Sequence, residues 1–148
     1  MIASSPVIHA GPIQIRFLVE PEESGGSASV FECRVPAGVK VPAPHSHDGF
    51  EETIYGLEGV STWTVDGEPR EVGPGEAICI RRGAVHGFEN HGDGEAVFLA
   101  IATPGLFGPD YFREVGEVVA AAAGGPPDMA AMMAVMRRHG LTPAPPAG

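Results

Sequence analysis

The sequence predicts an all-β fold, a sandwich or jelly roll, followed by two C-terminal helices. Three observations carry this reading. About eight short runs of β-formers succeed one another with turn residues between them. The 148 residues include 21 Gly and 15 Pro, which interrupt the chain too often for long helices. Good helix formers run unbroken only beyond Pro104. A chain of this length is the size of one domain and can bury a core without disulfide staples. The expected layout is a single domain over residues 1–148, with a barrel at about 12–104 and a helical segment at about 109–140.

Residues 1–11 are apolar but have no period, so an ordered arm and a frayed tail both stay open, and His9 reads as incidental. IQIRFLV, residues 13–19, is the first strand; the acidic, Gly- and Ser-rich EPEESGGS is a solvated loop, and residues 28–35 form the second strand. PAGVKVPAPHSH holds three prolines within nine residues, which excludes a helix and favours an extended edge segment. Side chains alternate along an extended chain, so His45 and His47 face the same way. Residues 52–57 are the next strand, and LEGVSTWTVDGEPREV reads as a hairpin about Asp66-Gly67. AICIRR follows as a strand closed by Gly83. In AVHGFEN, His86, Phe88 and Asn90 alternate, with Asn90 expected to fix a turn, and residues 96–103 are the last strand.

Beyond the strands, residues 110–123 form a helix with Asp110 as N-cap and Gly124 as stop. A second helix over 128–139 carries Met129, Met132, Met133 and Met136 at i, i+3, i+4 and i+7, a packing face for the barrel or a partner subunit. LTPAPPAG reads as a mobile tail.

Charge narrows the partners. Nineteen Asp and Glu oppose nine Lys and Arg, for a net charge of −10, which argues against a phosphate backbone or an anionic membrane as partner, because both need a basic face. No stretch approaches the roughly 20 apolar residues of a membrane span. The N-terminus lacks a basic segment followed by an apolar one. Cys33 and Cys79 have no CxxC spacing and read as free, core-facing thiols. The expectation is a cytoplasmic protein with no nucleic-acid or membrane partner.

Chemistry concentrates in PHSHDGFEE. Imidazole nitrogens and a carboxylate hold divalent first-row metals well, and catalytic sites leave coordination positions open. His45 and His47 supply two ligands from one strand face, a carboxylate from Glu51 or Glu52 a third, and His86 from a distant strand can complete the set. His91 lies in a loop and His139 at a helix end, and both read as bystanders. Trp63, Phe88 and Phe98 are candidates for the pocket wall beside the metal, or for plain core.

In these residues the chain resembles the cupin superfamily. Gly38, His45, His47, Glu52 and Gly59 match its first motif, glycine, HxH, four residues, Glu, six residues and Gly; Gly75, Gly83, His86 and Asn90 match its second. The order of motifs, the opening IRFLV and the trailing helices are similar to small single-domain quercetin-dioxygenase-like cupins. The resemblance implies a double-stranded β-helix barrel with a metal held by His45, His47, Glu52 and His86. Glu52 is preferred to Glu51 because it stands at the family's spacing before Gly59, and Glu51 then faces the other way. Arg81 stands where the second motif usually has proline, which touches the turn and none of the ligands.

The function implied is that of a dioxygenase, an oxidoreductase using one divalent metal (Fe, Mn, Ni, Cu or Zn) and O2 on a small aromatic, flavonol-like or enediol substrate. Glu52 is then also the catalytic carboxylate that takes the substrate's hydroxyl proton. A metal-assisted isomerase, lyase or hydrolase and a non-catalytic small-ligand binder are the alternatives, because the fold hosts many functions. The family also implies a homodimer.

Overall fold

The structure is a computed structural model that describes residues 5–40 and 43–145. Alternation decides which face of each strand is covered. In β2 (Ile13–Val19), Ile13, Ile15 and Phe17 are buried and Gln14 and Leu18 exposed. In β3 (Ser29–Val35), Ser29, Phe31, Cys33 and Val35 all point inward. This two-residue period matches a sheet with one covered face.

Two antiparallel sheets result. The six-stranded sheet runs β1 (Ile8–Ala10), β2, β3, β10 (Ala96–Thr103), β5 (Glu51–Glu58), β8 (Ala77–Ile80). The five-stranded sheet runs β11 (Leu141–Pro143), β4 (His45–His47), β9 (His86–Glu89), β6 (Ser61–Val65), β7 (Glu68–Val72). Ile15, Phe31, Ile54 and Phe98 from the first and Trp63, Val72 and Leu141 from the second meet in one core. This is the expected jelly roll. Each such large side chain contributes about 1.5–3 kcal/mol on burial.

The hairpin joining β6 and β7 follows its Asp-Gly signal: Val65 pairs with Glu68, and Asp66 and Gly67 take φ of 49° and 83°. Both central residues of such a two-residue turn need positive φ, which Asp and Gly tolerate. Asn90 fixes the turn after β9, donating to the carbonyls of Val35 and Gly94 and accepting from Gly92 N–H, each at 2.9 Å.

The helices are α1 (Pro109–Ala121) and α2 (Met129–Arg138). Asp128 caps α2, accepting from the N–H groups of Ala130 and Ala131. Met132, Val135 and Met136 are its buried side, while Met129 is 40% exposed, so the methionine stripe only partly faces the barrel. Among the described residues no helix is long and apolar enough to cross a membrane.

Several expectations need correction. Asp110 is not the N-cap of α1: Gly108 holds that position, and Asp110 pairs with Arg113 inside the first turn. Cys79 is free but exposed, because Ile78 and Ile80 take the inward positions of β8. The expected loop contains a 3-10 turn at Pro21–Ser24. The expected mobile tail instead begins as β11, pairing Leu141, Thr142 and Pro143 with His47, Ser46 and His45. Of the N-terminal arm, Ile8–Ala10 is an edge strand. Residues 1–4, Val41, Pro42 and 146–148, to which the arm, proline-segment and tail readings also extend, lie outside the described residues.

Candidate metal centre

Strand pairing assembles the site from distant parts of the chain. His45 stands directly opposite His86 where β4 meets β9, and His86 in turn pairs with Val65 of β6. All three histidines therefore come from the five-stranded sheet. Glu52 comes from the six-stranded one, between Ala102 of β10 and Ile80 of β8.

One ring nitrogen from each of His45, His47 and His86 falls in a group whose atoms lie within 4.8 Å of one another. The Nε2 atoms of His45 and His47 are 3.2 Å apart. Glu52 stands beside this group, with a carboxylate oxygen 3.5 Å from His47 Nε2. Expected neighbours separate as the strand period requires: Glu52 is buried, and Glu51 sits on the outer surface bonded to Arg82.

Hydrogen bonds set the tautomers. His45 Nδ1 lies 3.0 Å from the Ala43 carbonyl and His86 Nδ1 lies 2.9 Å from the Ala84 carbonyl. A carbonyl only accepts, so both Nδ1 atoms carry protons, and in the neutral rings both Nε2 atoms present lone pairs. His47 stacks on Phe50 at 4.3 Å, and its Nδ1 is buried with no hydrogen-bond partner.

Burial dominates the electrostatics. It pushes the pKa of His45 down to about 4, helped by the charge of His86. Burial likewise lowers His47, with His86 and His45 adding to the effect, and it lowers His86 against the opposing pull of the Ala84 carbonyl. The imidazoles are thus neutral near pH 7. Burial raises Glu52 to about 8. Converging nitrogen lone pairs beside a desolvated carboxylate form a poor set without a cation and a good one with it. The donors fit a divalent transition ion.

The centre opens on a cavity of about 230 Å³. Trp63, Phe88 and Phe98 all line it, belong to or pack against the core, and lie together with centroids 4.7–5.3 Å apart. Trp63 donates its indole N–H to Ser61 Oγ at 2.9 Å, so it offers the cavity an apolar face. His91 pairs with Glu89 and His139 with Glu114, and the exposed His9 lies on β1; the three bystanders stay outside the centre. Sequence reasoning missed Phe107, Tyr111 and Phe112, and read Met132 and Met136 as a packing face; all five also line the cavity. The methionine spacing marked a packing face on α2, yet nothing in it said that the face covers this opening, and Phe107, ahead of α1, carried no periodic signal.

A cupin domain pattern matches residues 31–102, a span that contains all four residues of the candidate centre. An uncharacterised protein of Methanocaldococcus jannaschii is 36% identical over 91 residues, 61% of this chain and 72% of that protein. The chain belongs to the cupin superfamily. This cupin is also 28% identical over 104 residues to a quercetin 2,3-dioxygenase of Bacillus subtilis, covering 69% of this chain but only 29% of the enzyme's length. Among solved structures, the polyketide cyclase RemF of Streptomyces resistomycificus superposes with a TM-score of 0.56 at 30% identity, over 69% of this chain and 70% of that one.

Proposed function

We propose that this cupin holds one divalent transition metal on His45, His47, His86 and Glu52 and acts as a dioxygenase on a small aromatic, flavonol-like or enediol compound. The observation that carries the reading is the convergence of three imidazole nitrogens on the wall of a cavity also lined by aromatic rings. The relationship to a quercetin dioxygenase supports the choice of reaction.

When bound, the metal supplies Lewis acidity to the substrate's oxygen atoms. The chain does the rest. His45 and His86 are held in the ligating tautomer by Ala43 and Ala84. Burial alone raises Glu52 to about 8, and a cation beside it would lower that value and leave a carboxylate able to accept the substrate's hydroxyl proton. Trp63, Phe88 and Phe98 present flat apolar surface to a ring and exclude water.

The likeness to a polyketide cyclase favours a second reading, in which the same centre rearranges or closes a ring without oxygen. Elemental analysis of protein purified without added metal, followed by oxygen-electrode assays with flavonols and catechols, tests both. Stoichiometric metal with oxygen uptake supports the dioxygenase. Metal with substrate turnover but no oxygen uptake supports the second reading, and absence of metal sinks both.

A further inference from the structure

Half of the described residues lining the cavity lie outside residues 31–102 and so outside the cupin pattern. They come from the β1–β2 edge and from the helical segment, so α1, α2 and the chain leading into α1 form part of the cavity wall. The polar inventory of this space is short. Beyond the histidines and Glu52 it holds the Cys33 thiol, kept protonated by burial, and the Tyr111 hydroxyl. Lys40, at the edge, has a side chain 72% exposed and lies 3.9 Å from Glu89. Among the described lining residues none inside the cavity offers a countercharge to an anionic group, apart from the ion that the histidines would hold.

Tyr111 is 6% exposed. Its ring is fixed by Phe107 at 4.9 Å, Phe112 at 5.1 Å and His139 at 5.7 Å. No described residue hydrogen-bonds to its hydroxyl, and the oxygen is not among the fully buried partnerless atoms, so it stays open to a partner that enters from outside the fold. Tyr111 is also the one hydroxyl-bearing side chain on the described cavity wall. Burial, reinforced by the Glu52 charge, raises its pKa and keeps the O–H as a donor.

We propose that Tyr111 is the specificity-determining donor of this site: it hydrogen-bonds an oxygen of an uncharged, largely aromatic ligand whose apolar body lies beneath α1 and α2. The inference rests on reading the cavity as a small-molecule site and adds to it the ligand's charge, its polarity and the residue that orients it. It assigns a function to the helical segment as well, which becomes the part of this cupin that selects among ligands.

The test uses Trp63, the single tryptophan of the chain and part of the cavity wall, as a fluorescence reporter. Binding of 2-naphthol and of naphthalene is titrated on the wild type and on Tyr111→Phe, which keeps the packed ring and removes only the hydroxyl. Each protein is measured metal-free and after loading with zinc, an ion without redox chemistry. The expected result is a loss of about tenfold in affinity for 2-naphthol in Tyr111→Phe, the scale of one hydrogen bond, with naphthalene changed less than about twofold. Equal changes for the two probes, no change for 2-naphthol, or no quenching of the wild type by either probe overturns the proposal. A wild type that takes up no zinc defeats the metal reading instead, and the metal-free titrations still decide the role of Tyr111.

Discussion

Substituting Gly116 sets two effects of opposite sign against each other. Gly116 lies in the middle of α1, where an exposed glycine gives way to alanine with a gain of about 1 kcal/mol in helix propensity. This glycine faces β1, however: a Cβ added to it would sit 2.4 Å from the His9 carbonyl oxygen. Carbon and oxygen approach no closer than about 3.3 Å without strain, so α1 must retreat by roughly 1 Å. Overpacking of this kind costs about 1–3 kcal/mol, more than the propensity gain over most of that range. The Gly116→Ala variant should therefore lose up to about 2 kcal/mol, seen as a lower urea midpoint at unchanged m and as a Tm lower by a few degrees. Because Tyr111, Phe112 and Val115 of α1 line the cavity, 2-naphthol binding should weaken as well. A variant as stable as the wild type, or more so, would refute the argument that the close seat of α1 on β1 requires glycine.

Four further outcomes follow from the same geometry. His47→Ala and His86→Ala should purify with metal content near background, while Glu51→Ala, which alters only a surface pair with Arg82, should keep it; equal occupancy in all three by elemental analysis would remove the ligand assignment. Phe98→Ala, emptying a core position 2% exposed beside Trp63 and Phe88, should cost about 3–5 kcal/mol in urea unfolding. The His139 bond, followed by that of Arg138, holds the Glu114 carboxyl below its ordinary 4.5. The folded state then binds fewer protons, so this contribution is complete above pH 4.5 and lost as pH falls through the depressed value. Glu114→Gln should flatten the stability profile in that acid window, and identical slopes for both proteins would contradict it. Ending the chain at Gly140 removes one of the two strands flanking β4 and should reduce metal retention more than it reduces stability of the six-stranded sheet, as amide exchange can report.

Strand alternation and turn chemistry foretold the elements they govern, although the N-cap rule named Asp110 where Gly108 stands. β2 begins and ends where the alternation of IQIRFLV does, and Asp66-Gly67 makes the turn its chemistry demands. His45 and His47 share a face because extended side chains alternate, and the same rule separates Glu52 from Glu51. The failures share a cause too. Cys79 was misplaced because a short edge strand has few residues to set its period, and Ile78 and Ile80 claim the inner side. β11 carried no signal, since three residues in a proline-rich stretch become a strand only through a partner almost a hundred residues earlier. Tyr111 belongs with these: its helix was legible, but a helix face does not say what it covers.

The division of the centre between the two sheets reaches beyond chemistry. Under the proposed ligand set, a single ion joins the wall that bears the histidines to the wall that bears Glu52, a clasp that the unfolded chain lacks. With free ion at a hundredfold its dissociation constant, the clasp adds about 2.7 kcal/mol to folding. Copies without the ion open more often and meet proteases first. The abundance of this cupin in a cell would then follow the supply of its metal, so scarcity would show as turnover of the protein as well as loss of its activity.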